Sequence, residues 1–210
     1  MAYNLDMPLE QAMRTQRALR RLKTDPVEDE LLLHLLDLAI RAPSGSNAQG
    51  WEFVVVRERE TIARLARLNR QAFALFRMLK PLAKLTPTRQ RMFESAQWQA
   101  DHFEEIPALI IPCLKQVIWP FPFLAATSAF GSIYPAVQNL LLGARAAGLG
   151  AALITIPLWN LGAVRRAVGL PWRVTPCCLI PLGWPLEEYT PNRRRPVREV
   201  VSFERYGRRP

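Results

Sequence analysis

The segment Ala42-Pro43-Ser44-Gly45-Ser46-Asn47-Ala48-Gln49-Gly50-Trp51 decides how this chain is read. It joins a helical pattern to a strand pattern. It is crowded with small residues, hydroxyls and carboxamides. Small residues let backbone N–H and C=O groups come close to a ligand, and Asn and Gln supply paired donors and acceptors. The same composition also serves a plain helix C-cap and turn.

Upstream, Asp25-Pro26-Val27-Glu28 reads as a helix start. Asp25 stands at the cap, Pro26 at the first helical position and Glu28 three after the cap. That helix carries Leu32, Leu35, Leu36 and Ala39 on one face and stops before Pro43. Residues 8–22 also pattern as helix and end in a basic cluster.

Downstream, Trp51 to Arg57 is β-branched and aromatic and reads as a strand. Glu58 to Lys80 reads as an amphipathic, Arg-rich helix, residues 80–92 as a polar linker, and the chain then as helix through Phe103. Pro107 to Lys115 is a second, buried strand, and residues 116–130 a loop of Trp, Phe, Pro and Ala. Ser132 to Ala147 is so apolar that the helix belongs at the centre of the core. Gly148-Leu149-Gly150 ends it. A third strand spans Ala151 to Ile156, a short helix Leu161 to Val168, and a fourth strand Val174 to Leu182. The last 25 residues form an extended Pro/Arg-rich tail. This order predicts a single α+β domain over residues 1–210.

The 28 basic and 18 acidic residues leave a net charge of +10. Residues 1–24 hold five basic groups against two acids, and residues 193–210 hold seven arginines against two acids. The body between them is nearly neutral. That distribution argues against a nucleic-acid reader with a basic face along the whole fold. It leaves Arg17 and Arg20 near one end and Arg193, Arg194 and Arg195 near the other. Guanidinium forks match phosphate oxygens.

Other chemistries fit poorly. Cys113, Cys177 and Cys178 are odd in number and lie in apolar surroundings, so they read as buried thiols of a cytoplasmic protein. The N-terminus lacks the pattern of a signal peptide. The apolar stretch from Ile133 to Trp159 is broken by Gln138, Asn139 and Arg145, so no membrane span is expected. His34 and His102 are isolated, no spacing fits zinc, and no metal is expected. Gly148-Leu149-Gly150 follows a helix and precedes a strand, the reverse of a dinucleotide fingerprint. No nucleophile elbow is present. An enzyme with so little acid–base machinery leaves its chemistry to a cofactor.

Taken together, the segments resemble the nitroreductase family. The residues are Thr15-Gln16-Arg17-Ala18-Leu19-Arg20-Arg21-Leu22, the 42–51 loop with Phe53-Val54-Val55-Val56, Ala136-Val137-Gln138-Asn139-Leu140-Leu141-Leu142, Leu182-Gly183-Trp184-Pro185, and Arg194-Arg195-Pro196-Val197-Arg198-Glu199-Val200-Val201. The resemblance spans about residues 14–201. It implies an α/β/α sandwich with a mainly antiparallel central sheet, a long central helix and an extended C-terminal tail. It further implies an obligate homodimer with FMN at the subunit interface. Electrons pass from NADH or NADPH through the flavin to a nitroaromatic, quinone or similar small acceptor, in a ping-pong cycle.

By that resemblance Arg17, Ala18 and Arg20 hold the phosphate and ribityl region, joined by Arg194. Pro43, Ser44, Gly45 and Asn47 line the flavin from the partner subunit, and Thr155 places a backbone N–H near flavin N5. Three positions depart from the family pattern. Ala18 replaces a hydroxyl residue, Gly50 replaces a proline, and Asn192 stands where some members carry lysine. The 80–92 linker and the Trp119-to-Phe123 loop are expected to cover the flavin. The resemblance also admits a dehalogenating or flavin-consuming enzyme, or a protein that binds flavin without turnover.

Overall fold

The computed structural model describes residues 5–79, 86–115 and 123–210. Strand β2 (Ala108–Lys115) is the spine of its sheet, buried at every position from Ala108 to Leu114. It pairs antiparallel with β1 (Trp51–Val56), from Trp51 opposite Leu114 to Val56 opposite Leu109. Its other edge pairs with β4 (Val174–Pro176) and β5 (Ile180–Gly183). The short β3 (Gly150–Ala151) pairs with β5, giving the order β1-β2-β5-β3 with β4 beside β2. All these pairings are antiparallel, as the resemblance implied.

The period-2 alternation of β2 builds the sandwich. Ala108, Ile110 and Leu114 join Trp51, Ile180 and Leu182 in a core packed by helices α2 (Asp29–Ala39) and α5 (Phe123–Ala146). Leu109, Ile111 and Cys113 join Val56 and Leu179 in a second core, packed by α3 (Arg59–Leu79) and α6 (Leu161–Ala167). A short α1 (Leu9–Thr15) lies on α5, and α4 (Pro87–Asp101) lies on α3. The fold is therefore α+β in three layers. No helix among the described residues is long and apolar enough to cross a membrane.

Several elements differ from their sequence reading. The first helix stops at Thr15, where Gln16 turns extended. Leu19 and Leu22 are buried against the sheet end, and Leu19 N–H donates to the Ala151 C=O at 3.1 Å. Lys23 N–H donates to the Trp184 C=O at 2.7 Å, and Leu22 bridges Pro185. Pairing with the sheet end thus overrides local helix propensity. Helix α2 starts at Asp29 with Glu28 as its cap, not at Asp25-Pro26. Val27 is buried and the Pro26 C=O accepts from Trp184 Nε1–H at 3.2 Å, which holds that stretch outside the helix.

Helix α4 begins at Pro87, capped by the Thr86 side chain, so residues 87–92 are helix and not linker. Helix α5 begins at Phe123, so residues 123–130 are helix and not loop. The rest of those two expected loops, 80–85 and 116–122, lies outside the described residues. The fourth strand is two strands, broken at Cys177-Cys178. The third is only Gly150–Ala151, with a single bridge from Ile154 to Leu179 beyond it.

Candidate active site

The chain ends meet first. The Asn192 side-chain amide donates to the Met13 C=O at 2.8 Å and the Gln16 C=O at 3.1 Å, and its backbone N–H donates to the Arg14 C=O at 2.8 Å. These bonds cap the exit of α1 and pin the tail to it. Nearby, Tyr189 donates its hydroxyl to the Leu149 C=O at 2.6 Å, with Arg145 over its ring at 4.1 Å. Arg145 also donates to Thr15 Oγ1 at 2.8 Å. Arg17 donates to Thr190 Oγ1 and lies 4.0 Å from Glu187, which also holds Arg21 at 3.4 Å. Asn192, marked as a departure from the family pattern, is thus a clasp between the two termini.

Arg20 points elsewhere. It lines a cavity of about 190 Å³ with Asn69 and Phe73 of α3, Gln99 of α4, and Leu153 and Thr155 beyond β3. Its guanidinium makes no hydrogen bond or ion pair with a described residue, and burial lowers its pKa below the usual arginine value. Desolvation penalises the charged form, so this is an uncompensated cation. Gln99 is 4% exposed and its Nε2 has no partner among the described residues. Asn69 is buried too. Unpaired buried donors of this kind carry a free-energy cost that an acceptor-bearing ligand relieves. Thr155 starts a 3-10 turn, Ile156–Asn160, closed by Leu158 N–H to the Thr155 C=O at 2.9 Å.

The structure therefore brings Arg20 and Thr155 together and adds two residues that the sequence reading missed. A signal existed. Asn69 falls three after buried Ala66 and four before buried Phe73, and Gln99 falls four before buried Phe103. Each is a polar residue on the apolar face of its helix.

The loop between α2 and β1 is a separate feature. Gly45 N–H donates to Ser132 Oγ of α5 at 3.0 Å, and Gln49 N–H donates to Ser44 Oγ at 3.0 Å. Ser46 and Asn47 hold left-handed backbone at φ 52° and 53°, which asparagine tolerates better than most residues. Pro43, Gly45 and Asn47 are exposed and Ser44 is half-buried. No residue of this loop lines the Arg20 cavity. Gly50 leads into β1 with its C=O accepting from Lys115 N–H at 2.7 Å. Ala18 is half-buried, and Arg194 is exposed, with Nη1 on the Arg193 C=O at 2.9 Å.

The nitroreductase family model matches residues 13–184. The chain belongs to the nitroreductase family. An NADH dehydrogenase of Thermus thermophilus is 28% identical, covering 90% of this chain and 92% of its own. An iodotyrosine deiodinase of Thermotoga neapolitana is 26% identical, covering 89% of this chain and 91% of its own. Among solved structures, the FMN- and NADPH-dependent nitroreductase of Sphigopyxis sp. strain HMH superposes with a TM-score of 0.71 at 19% identity, over 95% of this chain and 100% of that one. The last likeness is one of fold.

Proposed function

We propose that this protein is an FMN-dependent oxidoreductase that passes electrons from NADH or NADPH to a nitroaromatic, quinone or similar acceptor, and that it works as a cytoplasmic homodimer. The observation that carries this reading is the Arg20 cavity. It offers an uncompensated guanidinium and an orphaned Gln99 amide, with Thr155 on the same wall. That donor set fits the carbonyl-bearing edge of a flavin, whose acceptors would satisfy both groups. When bound, FMN supplies the two-electron chemistry between nicotinamide and acceptor.

The chain's own residues then bind and polarise. Arg20 and Gln99 present positive charge and an N–H donor where negative charge develops, and Thr155 contributes a backbone N–H. Arg17 and Arg194, with the backbone at Ala18, hold the phosphate end. The contact of Arg17 with Glu187 is long and half-exposed, hence weak, and a phosphate dianion competes with it. The Pro43–Asn47 loop is largely exposed and lines no wall of the cavity of its own chain, which supports its use against the flavin of a second copy.

Purification tests the reading. The expected protein is yellow, binds added FMN, and is bleached anaerobically by NADH or NADPH. A colourless protein without affinity for FMN sinks it. Bleaching by neither nicotinamide favours a flavin-binding protein without turnover. The deiodinase relative supports a second reading, reductive dehalogenation of a haloaromatic. Halide release on anaerobic mixing of the reduced protein with an iodophenol separates the two.

A further inference from the structure

The cavity around Arg20 continues outward. Thr155 and Ile156 also line a second hollow of about 290 Å³, whose other walls are Ala72, Leu75 and Phe76 of α3 and Trp159 of the 3-10 turn. The two hollows share these residues and adjoin along α3 at Ala72 and Phe73. They differ in chemistry. The inner one holds Arg20, Asn69 and Gln99, and among the described residues the outer one is lined by no ionisable side chain.

Trp159 stands out on the outer shelf. It is 54% exposed, and among the described residues its ring has no stacking or cation partner and its indole N–H no acceptor. Trp172, also exposed, differs in having Arg165 over its ring at 5.2 Å. The mount of Trp159 is fixed on both sides. Pro157 is buried and Leu158 N–H closes the turn on Thr155. After it, the Asn160 side chain caps α6 by accepting from Ala163 N–H at 3.0 Å. A rigid, open indole face beside Thr155 is a platform for a flat ring, with an N–H to spare for an oxygen acceptor.

We infer that Trp159 is a specificity-determining residue, forming with Leu75 and Phe76 the seat of a neutral, planar, oxygen-bearing electron acceptor such as a quinone. The inference rests on the flavin reading of the adjoining Arg20 cavity. The described walls of the shelf hold no cation to meet the pyrophosphate of a nicotinamide donor, and their apolar, aromatic lining suits the acceptor half of the cycle. Its size matches one or two fused rings, at the lower end of ligand pockets.

The test compares Trp159→Ala and Trp159→Phe in FMN-loaded protein, with 2-methyl-1,4-naphthoquinone and ferricyanide as acceptors. Ferricyanide is a compact anion that takes electrons without a stacking seat. Losing the indole face raises the KM for the quinone roughly tenfold in Trp159→Ala, and phenylalanine restores most of it. The rate of flavin reduction by nicotinamide and the KM for ferricyanide stay unchanged. Equilibrium binding of the quinone to protein without donor weakens in parallel. Unchanged quinone KM and binding in Trp159→Ala, or an equal loss with ferricyanide, overturns the assignment. A protein that takes up no FMN overturns the flavin reading instead, and the quinone-binding comparison still decides the shelf.

Discussion

Arg20 and Gln99 reach one cavity from two different elements, the extended segment after α1 and helix α4, and neither the Arg20 guanidinium nor Gln99 Nε2 finds a partner there among the described residues. The Gln99 amide is desolvated without compensation and the half-buried Arg20 guanidinium partly so, and that cost is carried by the flavin-free protein and recovered on binding. This gives the two substitutions opposite effects on the two states. Arg20→Ala weakens FMN binding about 10- to 100-fold, the range of a lost charge-assisted hydrogen bond. Gln99→Leu also weakens FMN binding, yet leaves the flavin-free protein as stable or more stable by about 1 kcal/mol, because an orphaned amide is replaced by an apolar group. Fluorimetric FMN titration and urea unfolding of the flavin-free protein read the two effects. A destabilised flavin-free Gln99→Leu contradicts the orphan.

Asn192 tests a different link, from the tail to the binding arginine. Its amide spans the Met13 and Gln16 carbonyls, and the chain reaches Arg194 two residues later. Asn192→Ala removes both bonds, about 1 kcal/mol each, and frees the segment that presents Arg194. Trypsin then cuts after Arg193 and Arg194 faster than in the parent protein, and FMN affinity falls although no ligand contact has been deleted. Equal cutting rates mean that the Asn192 backbone N–H, Tyr189 and the Thr190 contact anchor the tail without the Asn192 side chain.

The legible part of this fold was the part written in short-range pattern. The β-branched and aromatic run of β1, the apolar runs of β2 and α5 and the leucine face of α2 all follow from local pattern, and the loop at Pro43–Asn47 from its composition. Boundaries failed where distant contacts decide. Nothing local in residues 16–23 says that Leu19 will pair with Ala151 rather than continue a helix. The opening of α5 at Phe123 was missed because residues 116–130 read as a Trp/Phe/Pro/Ala loop and the helix as starting only after Gly131, which α5 in fact accommodates. Of the site, Arg20 was legible as one of the clustered N-terminal arginines, and Thr155 only by resemblance. Asn69 and Gln99 were legible as polar interruptions of apolar faces, but the faces had to be placed against one another before the cavity existed.

The same segment after α1 makes a packing prediction at Gly150. A Cβ there would lie 2.7 Å from Leu22 Cδ2 and 3.3 Å from both Leu19 Cβ and Pro185 Cβ. Two of those atoms are Cβ carbons that cannot swing aside. Gly150→Ala therefore turns the Leu22 side chain and pushes Leu19 and Pro185 back by a few tenths of an ångström, at a cost of about 1–3 kcal/mol. Gly50→Ala is the control, since a Cβ at that position meets nothing within 4 Å. Thermal unfolding should show a clear loss for the first variant and little change for the second. Equal behaviour would mean that the Leu19–Leu22 segment is not firmly docked.

The three cysteines give the last prediction, with a pH window. Cys113, Cys177 and Cys178 are all buried, and burial first, then neighbouring thiols, pushes each up from 9.0 to about 12. The thiolate is the reactive form, so the native protein should resist iodoacetamide at pH 8 while the urea-unfolded chain is alkylated at every cysteine. The stability consequence has a definite sign. Between about pH 9 and 12 the unfolded chain releases thiol protons that the folded chain retains, so the unfolded state binds fewer protons and stability falls as pH rises. Below pH 9 both states hold the protons and the thiols contribute no slope. Replacing all three with alanine should flatten the alkaline limb of a stability-against-pH curve, at some cost in overall stability from the cavities left behind. An alkaline limb of unchanged slope would mean that groups other than these thiols govern it.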